Sequence, residues 1–160
     1  MVYSSDGTGN IKQLLEYKYD STEVLRETTY DYLHETNPDY AARRLIRLPT
    51  VVSIKDGNGT EVSRTEYAYD EYPLKYYTTG GPGDYDYSYK YMTIRGHQTS
   101  IKRKYIEEDR FVTTTVKYDF LGRVVSTTDP NNNTSSTEYS VAGSFVTWDQ
   151  IFEQCGATYL

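Results

Sequence analysis

The residues best suited to nucleophilic or acid–base chemistry are two histidines, His34 and His97, and one cysteine, Cys155. A Ser-His-Asp or Cys-His site needs groups that converge on one reacting atom. Neither histidine stands in a nucleophile motif, so both read as structural or solvent-exposed. Cys155 cannot form an internal disulfide, and a metal site wants several ligands at defined spacing; it reads as inert. The glycine-rich run Gly80-Gly81-Pro82-Gly83 lacks the Lys-Ser/Thr of a phosphate cradle and opens no helix, so it reads as a loop. Asp6, Asp56 and Asn58 offer oxygens to calcium, but no complete ligand set appears at loop spacing; capping of turns is their expected role. The glycosylation patterns Asn58-Gly59-Thr60, Asn132-Asn133-Thr134 and Asn133-Thr134-Ser135 likewise read as turn residues. The expectation is no catalytic residue, no cofactor and no metal site.

Tyrosine is the unusual residue. The chain has 160 residues and 19 of them are Tyr, against one Trp and four Phe. Asp84-Tyr85-Asp86-Tyr87-Ser88-Tyr89-Lys90-Tyr91 places Tyr85, Tyr87, Tyr89 and Tyr91 on one face of a strand, where a helix would scatter them. Such a ladder packs across strands. Its alternative is an exposed platform for glycans or a cell surface. A Tyr-rich chain of 37% hydrophobic content and mean hydropathy −0.73 suits a thin, half-wet sheet better than a thick oily core. Disordered chains lack aromatic and β-branched residues, and this one is full of both.

The net charge of −6 argues against nucleic acid, which needs a basic surface. The local clusters Arg43-Arg44 and Lys102-Arg103-Lys104 read as solvated faces or blunted strand edges. No apolar run approaches the roughly 20 residues of a membrane helix, and no signal peptide is visible at Met1. The chain reads as soluble, with its starting Met on what looks like the middle of a repeat array.

The elements that must position these residues follow from alternation with a period of two. Leu15 to Tyr19, Val51 to Ile54, Glu61 to Arg64, Thr65 to Tyr69, Thr113 to Tyr118 and Val124 to Thr128 read as extended runs, with another strand starting near Thr137. Turn signals separate them: Asp6-Gly7-Thr8-Gly9-Asn10, Asp56-Gly57-Asn58-Gly59, Asp119-Phe120-Leu121-Gly122-Arg123, and Asp129-Pro130-Asn131-Asn132-Asn133. In the third, Asp119 is expected to cap the turn and Gly122 to take the left-handed position. Asn37 to Leu45 reads as a helical turn or a crossing loop. Trp148, Ile151, Phe152 and Cys155 stand at helical spacing, which suggests a short C-terminal helix. The division is therefore an all-β antiparallel hairpin sheet over 1–144 and a tail over 145–160.

Three of the chain's Tyr-Asp pairs, Tyr19-Asp20, Tyr69-Asp70 and Tyr118-Asp119, start at 19, 69 and 118, a spacing of 50 and then 49 residues. Tyr118-Asp119-Phe120-Leu121-Gly122-Arg123-Val124-Val125, followed by Asp129-Pro130-Asn131, resembles the YD repeat of bacterial Rhs proteins. Asn132 stands where that family usually has Gly, and Asn also tolerates the left-handed region. The copies at Tyr19 and Tyr69 lack the Gly-Arg step.

The resemblance implies a curved sheet of antiparallel strands that winds into a spiral, and in larger relatives a hollow shell around a toxin or effector. The family's self-cleaving aspartyl-protease motif is not visible. Implied partners are neighbouring repeats or further copies of this chain through open strand edges, and an enclosed effector. The implied location is secreted or at the cell surface.

Overall fold

The computed structural model describes residues 1–76 and 92–139. The expected ladder at Tyr85, Tyr87, Tyr89 and Tyr91, the Gly80–Gly83 loop and the tail over 145–160 lie outside the described residues.

Among the described residues, nine antiparallel strands form one sheet, and their spatial order is their order in the chain. They are β1 (Val2–Tyr3), β2 (Ile11–Tyr17), β3 (Val24–Tyr32), β4 (Pro49–Asp56), β5 (Glu61–Tyr69), β6 (Gln98–Tyr105), β7 (Arg110–Tyr118), β8 (Val124–Thr128) and β9 (Thr134–Ser136). The all-β reading from alternation stands. Three details differ. The last strand begins at Thr134 rather than near Thr137. β3 and β6 were not marked by strict alternation. And Lys102-Arg103-Lys104 lies in β6, an interior strand hydrogen-bonded to both β5 and β7, not at an edge.

Because neighbours in space are neighbours in sequence, connections alternate between the two ends of the sheet. At one end the turns are short: 18–23, 57–60, 106–109 and 129–133. At the other stand the connectors 4–10, 33–48, 70–97 and 119–123. The 33–48 connector carries a 3-10 turn (Leu33–Glu35) and one short helix, α1 (Pro38–Ala42). Pro38 presets the first helical φ, and Asn37 caps the helix by accepting from the Asp39 amide.

The faces of the sheet differ. Register places Asp31, Val51, Glu66, Lys102 and Thr113 in one row, and Glu27, Lys55 and Glu61 in a parallel row on the same side. The opposite side carries Tyr30, Val52, Thr65, Arg103 and Val112 in one row, with Leu14, Thr28 and Ile54 beside it. Among the described residues only Tyr40, Phe120 and Val125 are buried apolar side chains. Buried Asn10, Thr99, Ser100 and Asp119 join them near the connectors, whereas buried Thr28 and Ser53 lie within β3 and β4. The buried apolar side chains among the described residues therefore sit at one end of the sheet.

Candidate functional site: the connector end of the sheet

One device closes all four hairpins. The Tyr32 hydroxyl, at the end of β3, donates to the carbonyl of Ile11, the first residue of β2, at 3.0 Å. Tyr69 does the same to Pro49 at 2.9 Å, Tyr118 to Gln98 at 2.9 Å, and Tyr139 to Val124 at 3.1 Å. Each acceptor is the first residue of the other strand of the tyrosine's own hairpin. Before Tyr32, Tyr69 and Tyr118 the register to the following strand shifts by a bulge. A bulge re-aims the side chain, and here it carries the ring across to its carbonyl. Burial pushes the Tyr69 phenol up to about 12, so it stays a donor.

After each of these three tyrosines the next amide donates to the residue just before the following strand: Leu33 to Leu48, Asp70 to His97 and Asp119 to Arg123, each at 2.9 Å. The connectors thus leave and re-enter the sheet alike, whatever their length.

The connectors then tie to one another. Asp6 Oδ2 and His34 Nε2 lie 2.7 Å apart, and the Asn10 amide donates to the Ile46 carbonyl. The Tyr40 hydroxyl donates to Asp70 Oδ2 at 3.0 Å. Asp70 also accepts the amides of Arg95, Gly96 and His97 at 2.9, 2.7 and 2.9 Å. The Arg95 guanidinium donates to the carbonyls of Met92 and Phe120. Lys75 forms a parallel bridge to Asp119, and the Tyr76 ring stacks on Phe120 at 5.7 Å.

Asp119 is fully buried. Its Oδ1 accepts the amides of Leu121 and Arg123 at 2.9 Å, and its Oδ2 accepts Arg123 Nε at 2.7 Å. The Arg123 guanidinium lies 4.1 Å from the Tyr139 ring centre. Gly122 has φ +81°, as its left-handed role requires. Asp56 and Asp129 reproduce the same turn: each Oδ1 accepts from the second and fourth following amides, and the third following residue has positive φ (Gly59, Asn132). Asn132, at φ +66°, fills the position usually given to Gly. Pro130 sits at the first corner of the Asp129 turn, where a fixed φ is useful.

The Tyr-Asp pairs are not three copies of one position. Tyr19 is fully exposed at a short turn on the opposite end, with Asp20 at φ +49°. Tyr69-Asp70 and Tyr118-Asp119 end strands at the connector end. The equal spacing in sequence arises by accident of connector length. The structural equivalents of Tyr69 and Tyr118 are Tyr32 and Tyr139, which no Asp follows. Their signal was position as the last aromatic before the chain leaves a hairpin.

Both histidines lie at this end. Asp6, His34 and Glu35 offer ligand atoms within 4.8 Å of one another, a grouping absent from the sequence reading. Lys12 Nζ stands 2.7 Å from Glu35 Oε2 and supplies the positive charge there. Lys12 and the Tyr32 amide hold the Glu35 carboxyl down against the opposing pull of burial, and the Thr8 hydroxyl leads the donors that hold Asp6 down. Asp6 lies at the end opposite Asp56 and Asn58, so those three do not converge. Neither histidine ring is hydrogen-bonded to a hydroxyl or thiol among the described residues. A cavity of about 350 Å³ is lined by Arg43, Leu45, Met92, Ile94, Arg95 and His97. The aspartates of this end are engaged by neighbouring donors, whereas His34 Nδ1 and His97 Nε2 are buried without a hydrogen-bond partner.

No family model matches this chain, and neither a curated protein nor a solved structure does.

Proposed function

We propose that this chain is a non-catalytic wall segment of an Rhs/YD-repeat type of sheet, one that encloses an effector or forms an extracellular scaffold. The observation that carries the reading is the tyrosine latch repeated in four successive hairpins. Each unit closes itself with its own hydroxyl and leaves a strand edge for the next. Such an array lengthens by nearest-neighbour contacts, without enlarging a common core. The saturated hydrogen bonding of Asp70 and Asp119 also favours a positioning role over proton transfer, because a general base must have a lone pair aimed at its substrate.

Partners on this reading are neighbouring repeats or further copies, added at β1 or β9, the two ends of the strand order. Both edges are short, two and three residues, so each addition contributes few hydrogen bonds and association is weak. Light scattering over a wide concentration range tests this. Average mass should rise with concentration, and Ser135→Lys, which puts a charge on β9, should lower the rise. A monomer of constant mass at the highest concentration would remove the support for edge-to-edge assembly.

A further inference from the structure

His97 is the last residue before β6, and its backbone is fixed on both sides by Asp70. Its amide donates to Asp70 Oδ1, and its carbonyl accepts the Asp70 amide, both at 2.9 Å. Its ring lies flat on Tyr118, with centroids 4.7 Å apart and planes 16° from parallel. The ring edge faces Gly122: a Cβ there would come within 3.0 Å of His97 Cε1 and 3.5 Å of Nε2. Nε2 is buried with no hydrogen-bond partner.

A neutral imidazole fits this slot. Its unprotonated Nε2 needs no acceptor in this slot. An imidazolium does not fit, because both nitrogens then carry protons and Nε2–H would be a buried donor with no acceptor. The neighbouring charges do not rescue it. Asp70 already accepts three amides and the Tyr40 hydroxyl. Asp119 is engaged by two amides and Arg123. Arg95 adds a positive charge from the preceding turn, and Arg43 lines the cavity shared with the ring. The Tyr118 phenol is held protonated by burial.

We propose that His97 is an acid-sensitive pin: its neutral ring holds the 92–97 end of the connector against Tyr118 and the 119–123 turn, and protonation releases that contact. The inference does not depend on the wall reading. Burial pushes His97 below its ordinary value of 6.5, and Arg95 acts the same way, whereas Asp70 and Asp119 pull upward without prevailing. The opened connector therefore binds the proton more readily than the closed one. The closed form is fully stable above pH 6.5 and loses stability as pH falls below it, until the closed form itself titrates.

Amide hydrogen exchange on the whole chain, corrected for intrinsic rates, reads this directly. On acidification through 6.5 the amides of Arg95, Gly96 and His97 should lose protection, while Ile54 in β4 keeps its own. His97→Phe keeps a flat ring on Tyr118 and should abolish the acid response; His34→Gln should leave it intact. Equal protection on both sides of pH 6.5, or an unchanged response in His97→Phe, overturns the proposal. Should His97→Phe not fold, the nuclear magnetic resonance titration of His97 in the unaltered chain decides. A midpoint below 6.5 supports the pin, and one at or above 6.5 refutes it.

Discussion

At the scale of single residues, the same aspartate turn is built three times with different surroundings, which separates its local strength from its context. Asp56 and Asp119 cap their turns with identical amide bonds, but only Asp119 is fully buried and paired with an arginine. Asp56→Ala should cost about 1 kcal/mol, the usual loss of a capping side chain. Asp119→Ala strands buried amides and the Arg123 charge, and should cost on the order of 3 kcal/mol. Urea unfolding of the two variants checks the ranking; equal losses would mean that burial adds nothing here. The glycines at the third turn position make a similar pair. Gly59 and Gly122 have φ of +83° and +81°, yet only Gly122 faces a side chain at Cβ distance. Gly59→Ala should cost about 1 kcal/mol from backbone strain alone. Gly122→Ala should cost more and should also perturb the His97 resonances. The turn chemistry of Asp119, Gly122 and Asn132 was legible in the sequence, because it depends on neighbours within four residues.

At the scale of elements, the unit is a hairpin closed by a tyrosine, with a bulge that aims the ring. The latch bonds of Tyr32, Tyr69 and Tyr118 are part-buried and that of Tyr139 is exposed; a neutral hydrogen bond of the first kind contributes about 1 kcal/mol. Tyr69→Phe should therefore lower stability by about that amount in thermal or urea unfolding, whereas Tyr19→Phe, on a fully exposed side chain, should change it by less than about 0.5 kcal/mol. If the two substitutions behaved alike, the latch would have no energetic content. Alternation disclosed the strands that carry Tyr69 and Tyr118, but not β3, which carries Tyr32. It did not disclose which tyrosines were equivalent, because connectors of 16, 28 and 5 residues (33–48, 70–97 and 119–123) separate them unevenly. Motif spacing tracks structural spacing only when the insertions are of constant length.

At the scale of the whole molecule, the sheet is one layer with a charged side and a side rich in Tyr, Val and Ile. Ion pairs such as Arg64–Glu66 (2.9 Å) and Lys104–Asp109 (2.8 Å) cross the charged side, but exposed pairs contribute little individually. Net charge sets the colloidal behaviour instead. With an isoelectric point near 4.9, repulsion between copies vanishes in mild acid. Edge-to-edge association should therefore peak near pH 4.9 and weaken above neutrality, as static light scattering against pH would record. A peak far from the isoelectric point would implicate a specific titrating group.

The sequence by itself determined the all-β class, the strands β2, β4, β5, β7 and β8 and the aspartate turns, since period-two alternation and turn chemistry act over a few residues. Tertiary structure alone decided that Tyr32, Tyr69, Tyr118 and Tyr139 share one role. It also brought Asp70, His97 and Asp119, from three stretches of chain, to one end of the sheet. Hydrogen bonds between residues 15 or more apart depend on where the strands place them, and no local pattern encodes that distance.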